Sequence, residues 1–430
     1  MRIGLEVHVA LPTKSKLFCG CRNFADEPNT AICPICMGLP GSKPVLNSAA
    51  VMYALSIANA LHCKANDTFS FVRKVYFYPD LPKSYQITQL NEPIGDSGYV
   101  ELSSGKIGIR RLQLEEDPAR IVRGDGYSLL DFNRSGTPLV EIVTEPDITS
   151  EEALREFLFE LRSILYYLGI DIDKEMKADL NISMADQRVE VKNITGIKNL
   201  IDAARYEIGR QSKLIARGEP IAAETRAYIE DKGKTESARE KESDEEYGYI
   251  FDPDLARYPT GGIRTIKPVY TTQIAADYAA EYNANAKTIK ELIAFRKRAL
   301  EMMDYGKSKY DMKTVINAIS LIIKYGKEGF SNGQFDQVVD VINSGAHIEP
   351  EMFDDIEKGK KPEIKVNIVS DEELEDFIRK TIASNTQVLE DYKKNKKALN
   401  FIINLVVEKY ALQPKVVAEK LSKIVKEYGV

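Results

Sequence analysis

Residues 3–9 read IGLEVHV, in which apolar and ionisable side chains alternate. Side chains of a β-strand point to opposite faces in turn, so this pattern predicts a strand with one apolar face. Glu6 and His8 then share the second face. The chain is therefore predicted to begin with a strand that contributes both to a core and to a surface of ionisable groups.

Later stretches repeat this arrangement: RRLQLEED at 110–117, PLVEIV at 138–143, ADLNISM at 178–184 and RVEVKN at 188–193. The acidic residues that they add include Glu115, Glu116, Glu141, Asp179 and Glu190. Any one of these stretches is typical of a half-exposed strand with a solvated face. Their recurrence favours a second interpretation, in which the carboxylates meet on one face of a sheet.

Carboxylates that are brought together repel one another unless protons, basic side chains or a cation neutralise them. Oxygen ligands with one imidazole suit magnesium or manganese, as expected where a nucleotide phosphate is handled. The basic residues available to pair with such phosphates are Lys74, Lys83, Arg110, Arg111 and Arg134. No P-loop, Rossmann fingerprint or GxSxG elbow occurs, so the sequence supports neither those nucleotide folds nor a hydrolytic serine.

Four cysteines lie within eighteen residues, as CxC at Cys19 and Cys21 and CxxC at Cys33 and Cys36. Two short chelating loops of this kind fit one tetrahedral zinc ion. Four thiolates would leave no position for a substrate, so we assign this site to folding. Free or redox-active thiols remain the alternative.

The two halves of the chain differ in pattern. Residues 1–205 are rich in short alternating segments, whereas residues from about 270 onward have helical spacing, and the two together predict an α+β fold. Within the first half, Thr149 and Glu152 predict a capping box for a helix that Gly169 ends. Twelve of the 17 residues at 230–246 are charged, which predicts a surface loop or hairpin.

The last part of the chain is predicted to form its own helical segment. A capping box at Ser370 and Glu373 precedes helices predicted at 371–383, 386–394, 397–410 and 414–428. Nine lysines against two glutamates between residues 392 and 426 give this tail a local charge of +7. Contact with a phosphate backbone requires such a surface, but a solvated lysine-rich face has the same pattern.

The overall composition limits the classes of protein that this chain can represent. Lys and Arg total 59 against 65 Asp and Glu, so no global positive field marks a nucleic-acid binder. The three histidines disfavour a histidine-based catalytic zinc site. Neither a secretory signal nor a membrane-spanning stretch is evident, so we expect no membrane partner and a cytoplasmic location.

Several long stretches together resemble the B-subunit family of aspartyl/glutamyl-tRNA amidotransferases (GatB). They are IGLEVHV, the cysteine segment ending in GLPGSKPVLN, RKVYFYPDLPKSYQITQ at 73–89, GIRRLQLEED, DFNRSGTPLVEIVTEPD at 131–147, and ADLNIS with VEVKN. They cover most of residues 1–260, and the tail resembles the family's YqeY-like domain. The resemblance implies a cradle-like catalytic domain at 1–265 with a mixed or antiparallel sheet and the zinc segment 19–36. A helical domain at 266–360 and a tRNA-binding tail domain at 361–430 are expected to follow.

The resemblance also implies a two-step reaction on misacylated tRNA. ATP with Mg²⁺ would phosphorylate the side-chain carboxylate of Glu on tRNA(Gln) or of Asp on tRNA(Asn). Ammonia from a separate amidase subunit would then displace the phosphate, in a complex that includes a small C subunit. The alternative from a different class is a tRNA-binding scaffold without catalysis, whose metal sites are structural.

By similarity, the catalytic and metal cluster should comprise Glu6, His8, Glu115, Glu116, Glu141 and Asp179. Of these, His8, Glu116 and Glu141 are the expected magnesium ligands. Candidates for the nucleotide or aminoacyl pocket are Lys74, Tyr78, Lys83, Tyr85 and Gln86. Candidates for tRNA contact are Lys393, Lys394, Lys396 and Lys397.

Overall fold

A computed structural model describes residues 1–172, 176–185, 187–239, 248–345, 348–362, 370–394, 396–410, 412 and 414–427. The chain divides into two compact units, residues 1–270 and 271–430. The first unit combines a large sheet with helices and the second is helical, so the predicted α+β class is confirmed.

The strands of the described part of the chain belong to the first unit. They are β1 (Arg2–Ala10), β2 (Lys64–Ala65), β3 (Thr68–Phe69), β4 (Val72–Val75), β5 (Tyr85–Thr88), β6 (Gly95–Leu102), β7 (Gly105–Glu116), β8 (Arg120–Arg123), β9 (Ser128–Asp131), β10 (Pro138–Thr144), β11 (Lys177–Ser183), β12 (Val189–Thr195), β13 (Thr225–Ile229), β14 (Lys234–Arg239), β15 (Gly248–Ile250) and β16 (Tyr258–Pro259).

The helices are distributed over both units. They are α1 (Ser48–Ala60), α2 (Glu151–Tyr167), α3 (Ile197–Ala216), α4 (Thr271–Tyr282), α5 (Ala286–Ile293), α6 (Lys297–Gly306), α7 (Met312–Lys324), α8 (Asn332–Asn343), α9 (Pro350–Glu357), α10 (Asp371–Ala383), α11 (Gln387–Lys394), α12 (Asn400–Tyr410) and α13 (Pro414–Glu427). Short 3₁₀ turns lie at Glu230–Lys232 and Lys396–Leu399. No helix among the described residues is both long and apolar enough to span a membrane.

The main sheet has the strand order β14-β13-β12-β11-β1-β10-β7-β6-β2. Its pairs are antiparallel except β12 with β13, so the sheet is mixed. The N-terminal strand β1 lies in the middle, between β10 and β11. Because β10 and β11 both pair with the first strand, residues far apart in sequence become neighbours across β1.

The predicted alternation of β1 is confirmed. Ile3, Leu5 and Val7 are at most 1% exposed and belong to the core of the first unit, with α1, α2 and α3 packed against the sheet. Val140 and Ile142 of β10 continue this apolar face next to them. Because the helices cover this face, the ionisable residues of the same strands all point to the other one.

The cap of α2 differs from the prediction by one residue. Ser150, not Thr149, is the N-cap, and its hydroxyl accepts a hydrogen bond from Ala153 N at 3.0 Å. Ile148, two residues before this cap, is still bridged to Ile3 of the sheet, with Ile3 N donating to Ile148 O at 2.8 Å. The helix can therefore start only after the chain has left the sheet.

The charged stretch at 230–246 is predicted to be a surface loop or hairpin. Its first ten residues form the turn and second strand of the β13–β14 hairpin. Residues 240–247 lie outside the described part of the chain. The four predicted tail helices are confirmed as α10 to α13, with ends within one or two residues, except that a 3₁₀ turn precedes α12. The hydroxyl of Ser370 accepts a hydrogen bond from Glu373 N at 3.1 Å, as the predicted cap requires.

The described residues of the second unit form two separate hydrophobic cores. Helices α4 to α9 enclose one around Phe335, Ile319 and Met303. Helices α10, α12 and α13 enclose the other around Ile378, Ile402 and Leu421. Each segment therefore has an apolar interior of its own.

A buried ionic network attaches the β13–β14 hairpin to α3. Glu207 on α3 is fully buried and pairs with Arg226 of β13 (3.0 Å) and Arg210 (2.9 Å). Thr235 of β14 donates its hydroxyl to the same carboxylate. A carboxylate buried this deeply is tolerated only when basic partners and hydrogen bonds compensate it.

Replacing Glu207→Gln should therefore remove the buried counter-ion of Arg226 and Arg210 and leave them paired with the partly exposed Glu224. The expected cost is about 3 kcal/mol of unfolding free energy, with faster amide exchange in β13 and β14. Urea denaturation and hydrogen exchange measure both. The exposed Glu219, 4.0 Å from Arg217, is the matched control, and Glu219→Gln should change neither quantity. Equal stability of the two variants would contradict this role for the network.

Candidate active site

The uncovered face of the sheet forms a cleft of about 830 Å³. Strand register brings its residues together: His8 lies opposite Glu141 of β10 and Lys177 of β11, while Glu6 lies opposite Asp179. Of the six residues expected in the catalytic cluster, five line this cleft: Glu6, His8, Glu115, Glu141 and Asp179. In the sequence they are separated by as many as 173 positions.

His8 lies between two carboxylates. Its Nε2 is 3.6 Å from Glu115 Oε1 and 3.8 Å from Glu141 Oε1. Burial disfavours the imidazolium, but these two carboxylates, together with Asp179 and Glu6, outweigh burial and raise the pKa of His8. The surrounding carboxylates therefore favour the protonated, positively charged form of His8.

Glu141 is itself perturbed. Burial, followed by repulsion from Glu115, raises the pKa of Glu141 to about 7, although His8 opposes the shift. Glu115 is held by the Thr88 hydroxyl, which donates to its Oε2 at 3.1 Å. The two carboxylates that flank the imidazole therefore have different hydrogen-bond environments.

A second acidic group lies across β1, β11 and β12. Glu6, Asp179 and Glu190 can place carboxylate oxygens within 4.8 Å of one another. Burial raises the pKa values of Asp179 and Glu190, opposed by a hydrogen bond from Asn193 N to Asp179 (2.7 Å) and by Lys192 respectively. Hard oxygen ligands at this spacing suit a divalent cation such as Mg²⁺. Glu190 is visible in the strand pattern, but the family resemblance did not place it in the catalytic cluster.

Basic residues surround the carboxylates. They are Lys74, Arg110, Arg111, Arg134, Lys177, Arg188 and Lys192. Arg134 pairs with the buried Asp117, and Arg110 pairs with Glu145 at 2.8 Å. The Nε of Arg111 is buried without a hydrogen-bond partner among the described residues. Burial lowers the pKa of Lys177. The cleft therefore offers both carboxylates for a cation and cations for an anionic substrate.

Glu116 does not join the cluster. It follows Glu115 in β7, and successive strand side chains point to opposite faces, so Glu116 projects away from the cleft. There it pairs with Lys83 and accepts a hydrogen bond from Ile87 N at 2.9 Å. The family resemblance predicts that Glu116 binds magnesium beside His8 and Glu141, but the structure places it on the other face of the sheet from them.

The nucleotide-pocket candidates also separate into groups. Lys74 of β4 and Gln86 of β5 are cross-strand partners and line the cleft. Lys83 and Tyr85 instead line a small cavity of about 40 Å³ on the far side, together with Glu116. Tyr78 lies in the connection between β4 and β5 and is half exposed. Two of the five candidates thus lie in the cleft.

The four predicted zinc ligands converge. The Sγ atoms of Cys19, Cys21, Cys33 and Cys36 all lie within 4.8 Å of one another. A hydrogen bond with Cys19, opposed by burial, lowers the pKa of Cys36 to about 4, whereas the pKa of Cys21 is raised to about 11, chiefly by burial. Four soft sulfur donors at this spacing match the requirements of zinc.

The tail candidates Lys393, Lys394, Lys396 and Lys397 lie on α11 and the following 3₁₀ turn. Their side chains lie outside the part of the chain that the structure describes. Their role therefore stays a prediction from sequence.

Comparison with known proteins identifies the class of domain to which the sheet and its cleft belong. A family model described as the GatB/GatE catalytic domain matches residues 1–260. Three curated relatives are named as the B subunit of aspartyl/glutamyl-tRNA(Asn/Gln) amidotransferase. The protein of Methanoregula boonei is 37% identical over 456 residues, covering 95% of this chain and 94% of its own. That of Persephonella marina is 36% identical over 469 residues, covering 99% of each. That of Sulfurisphaera tokodaii is 43% identical over 334 residues, covering 74% of this chain and 67% of its own.

The chain therefore belongs to the family of aspartyl/glutamyl-tRNA amidotransferase B subunits, as its motifs predicted. Its match to the relatives extends beyond the catalytic domain into the helical unit.

The raised pKa of Glu141 predicts how stability depends on pH. The folded state binds this proton more tightly than the unfolded chain, so its stabilising effect is complete below about pH 4.5 and is lost as pH rises through about 7. Glu141→Gln should reduce that loss by on the order of 2 kcal/mol between pH 5 and 7.5. Urea denaturation without added magnesium, with the exposed Glu152→Gln as control, measures it. Parallel pH profiles for parent and Glu141→Gln would refute the shift.

Proposed function

We propose that this chain is the subunit that activates and amidates the amino acid of a misacylated tRNA. ATP would phosphorylate the side-chain carboxylate of Glu on tRNA(Gln), of Asp on tRNA(Asn), or of both. Ammonia supplied by an amidase partner would then displace the phosphate to form the amide. The observation that carries this proposal is the single cleft in which β1 gathers Glu6, His8, Glu141 and Asp179.

Phosphoryl transfer requires alignment and charge neutralisation more than covalent assistance from the protein. Glu6, Asp179 and Glu190 would hold Mg²⁺, and the ion would neutralise charge on the transferred phosphoryl group. Arg111 has a buried Nε–H without a protein acceptor among the described residues, so it is available to donate to a phosphate oxygen. Lys74 and Lys177, which also line the cleft, would bind further anionic groups.

The amide-forming step requires a group that accepts a proton. As ammonia attacks the activated carbonyl, a proton must leave its nitrogen. Glu141, with a pKa of about 7, can accept that proton near neutral pH, and His8, whose Nε2 lies 3.8 Å from Glu141 Oε1, stabilises the ionised carboxylate before the transfer. Both groups face the cleft, so they lie on the side where the substrate would bind.

The remaining features support the same assignment. The cysteine cluster would hold zinc in a structural role, because its four sulfurs complete a tetrahedral set. The tail domain at 361–430, YqeY-like by resemblance, would bind tRNA, and the helical domain at 266–360 would connect it to the catalytic domain. The amidase and a small C subunit would complete a cytoplasmic complex.

ADP formation tests the proposal directly. The protein, mixed with its amidase partner and C subunit, is assayed with ATP and Mg²⁺, with and without Glu-tRNA(Gln) and then Asp-tRNA(Asn). We expect either or both tRNAs to stimulate ADP release. Asp179→Asn should lower the stimulated rate at least about 100-fold because it removes a carboxylate of the proposed cation site, while the distant, exposed Glu219→Gln should not. Absence of stimulation by either tRNA would favour the scaffold alternative.

Charge reversal in the tail tests tRNA contact. Replacing Lys393, Lys394, Lys396 and Lys397 with Glu should raise the apparent KM for tRNA with little change in kcat at saturation. The slope of log KM against log salt should also fall by about one unit for each phosphate that the variant no longer contacts. Four reversals at the exposed residues Lys14, Lys64, Lys213 and Lys232 change the net charge equally and serve as the control. An unchanged KM would contradict tRNA contact and indicate that these lysines form only a solvated face.

A further inference from the structure

Lys16 is an unusual lysine because its side chain is completely buried. It lies three residues before the first cysteine of the metal cluster. Lysine side chains are almost never fully buried unless an anionic partner compensates the charge. The identity of that partner therefore indicates what Lys16 is for.

The hydrogen-bond partners of the Lys16 ammonium are a sulfur and a carbonyl. Its Nζ donates to Cys36 Sγ at 3.6 Å and to Phe132 O at 3.2 Å. Among the described residues, no Asp or Glu forms an ion pair with Lys16. Glu116, the acidic residue that shares its small cavity, is paired with Lys83 instead. In the described part of the chain, the group within hydrogen-bond reach of Lys16 that can carry a negative charge is therefore the Cys36 sulfur.

The backbone fixes Lys16 in this position. Lys16 N donates to Cys21 O at 3.0 Å, and Leu17 N donates to Gly136 O at 2.8 Å. The first contact ties Lys16 to the CxC loop and the second ties the next residue to the segment before β10. The ammonium is thus held against Cys36 by the same loop that carries two of the ligands.

Charge arithmetic explains why such a cation is needed. Four thiolates around one divalent ion leave an excess of two negative charges. Cys19 and Cys36 are buried, so water cannot fully solvate this excess. A buried ammonium 3.6 Å from a sulfur offsets half of it, and a hydrogen bond to a thiolate stabilises the anionic form.

We infer that Lys16 is the counter-charge of the cysteine metal site, where its ammonium donates to the Cys36 thiolate and stabilises the four-sulfur coordination of a divalent ion. Lys16 is a positioning residue and does not bind the metal itself. This inference rests on the zinc site of the proposed function, and two measurements distinguish failure of one from failure of the other.

Zinc affinity of the full-length protein provides the first measurement. Zinc is titrated against a chromophoric chelator for the parent, Lys16→Met and Lys16→Arg, with the exposed Lys14→Met as matched control. Lys16→Met keeps the length of the side chain but removes its charge, so zinc should bind about 10- to 100-fold more weakly. Lys16→Arg should restore most of the affinity, and Lys14→Met should equal the parent.

A spectroscopic measurement separates this role from simple packing. In the cobalt-substituted protein, loss of the Lys16 charge raises the energy of the sulfur lone pairs. The thiolate-to-cobalt charge-transfer band should therefore move to lower energy in Lys16→Met and stay in place in Lys14→Met. A side chain that only fills space would not move this band. If Lys16→Met does not fold, Lys16→Gln is measured in both assays with the same expectation.

Each outcome has a defined meaning. Parent-like zinc affinity and an unmoved cobalt band in the neutral Lys16 variants would overturn the inference while leaving the zinc site intact. A parent protein that binds no stoichiometric zinc would overturn the zinc site and this inference together, without affecting the cleft. Weaker zinc binding with a shifted band, both restored by arginine, supports Lys16 as the counter-charge.

Discussion

The pairing of β1 with β10 on one side and β11 on the other is the constraint on which the candidate site depends. It places His8 opposite Glu141 and Glu6 opposite Asp179, although each pair is separated by more than 130 residues in sequence. A shift of one residue in either register would move these side chains to the covered face of the sheet. The apolar residues of β1, buried against the helices, fix the register and so also fix the site.

This arrangement brings like charges together at an energetic cost. The raised pKa values of Glu141, Asp179 and Glu190 express that cost, since burial and mutual repulsion both favour their protonated forms. A divalent cation and a bound anionic substrate would relieve the repulsion together. The cleft is therefore least stable when empty and ionised, which is the expected property of a site arranged for binding and not for stability.

Alternation within single strands was enough to predict which side chains face away from the core, and five of the six expected cluster residues do meet. The same rule, applied to the adjacent pair Glu115 and Glu116, would have separated them, because neighbours in a strand cannot share a face. Strand order was not predictable, since it depends on non-local pairing that no local pattern encodes. Glu190 was visible in its strand, but only the β11–β12 pairing brings it toward Glu6 and Asp179.

Strand β7 borders both the cleft and the small cavity beside the cysteine cluster. Its last two residues face in opposite directions: Glu115 contacts the His8 cluster, and Glu116 lies with Lys83 in the cavity that Lys16 and Cys36 also line. Gln86 joins the two sides, because it lines the cleft and donates to the backbone carbonyl of Glu116 at 2.8 Å. Glu116 and Cys36 line the same small cavity, so the cysteine segment lies beside the end of β7 that also carries Glu115. The end of one strand therefore borders both the cleft and the cavity beside the cysteine cluster, because its side chains alternate between two faces.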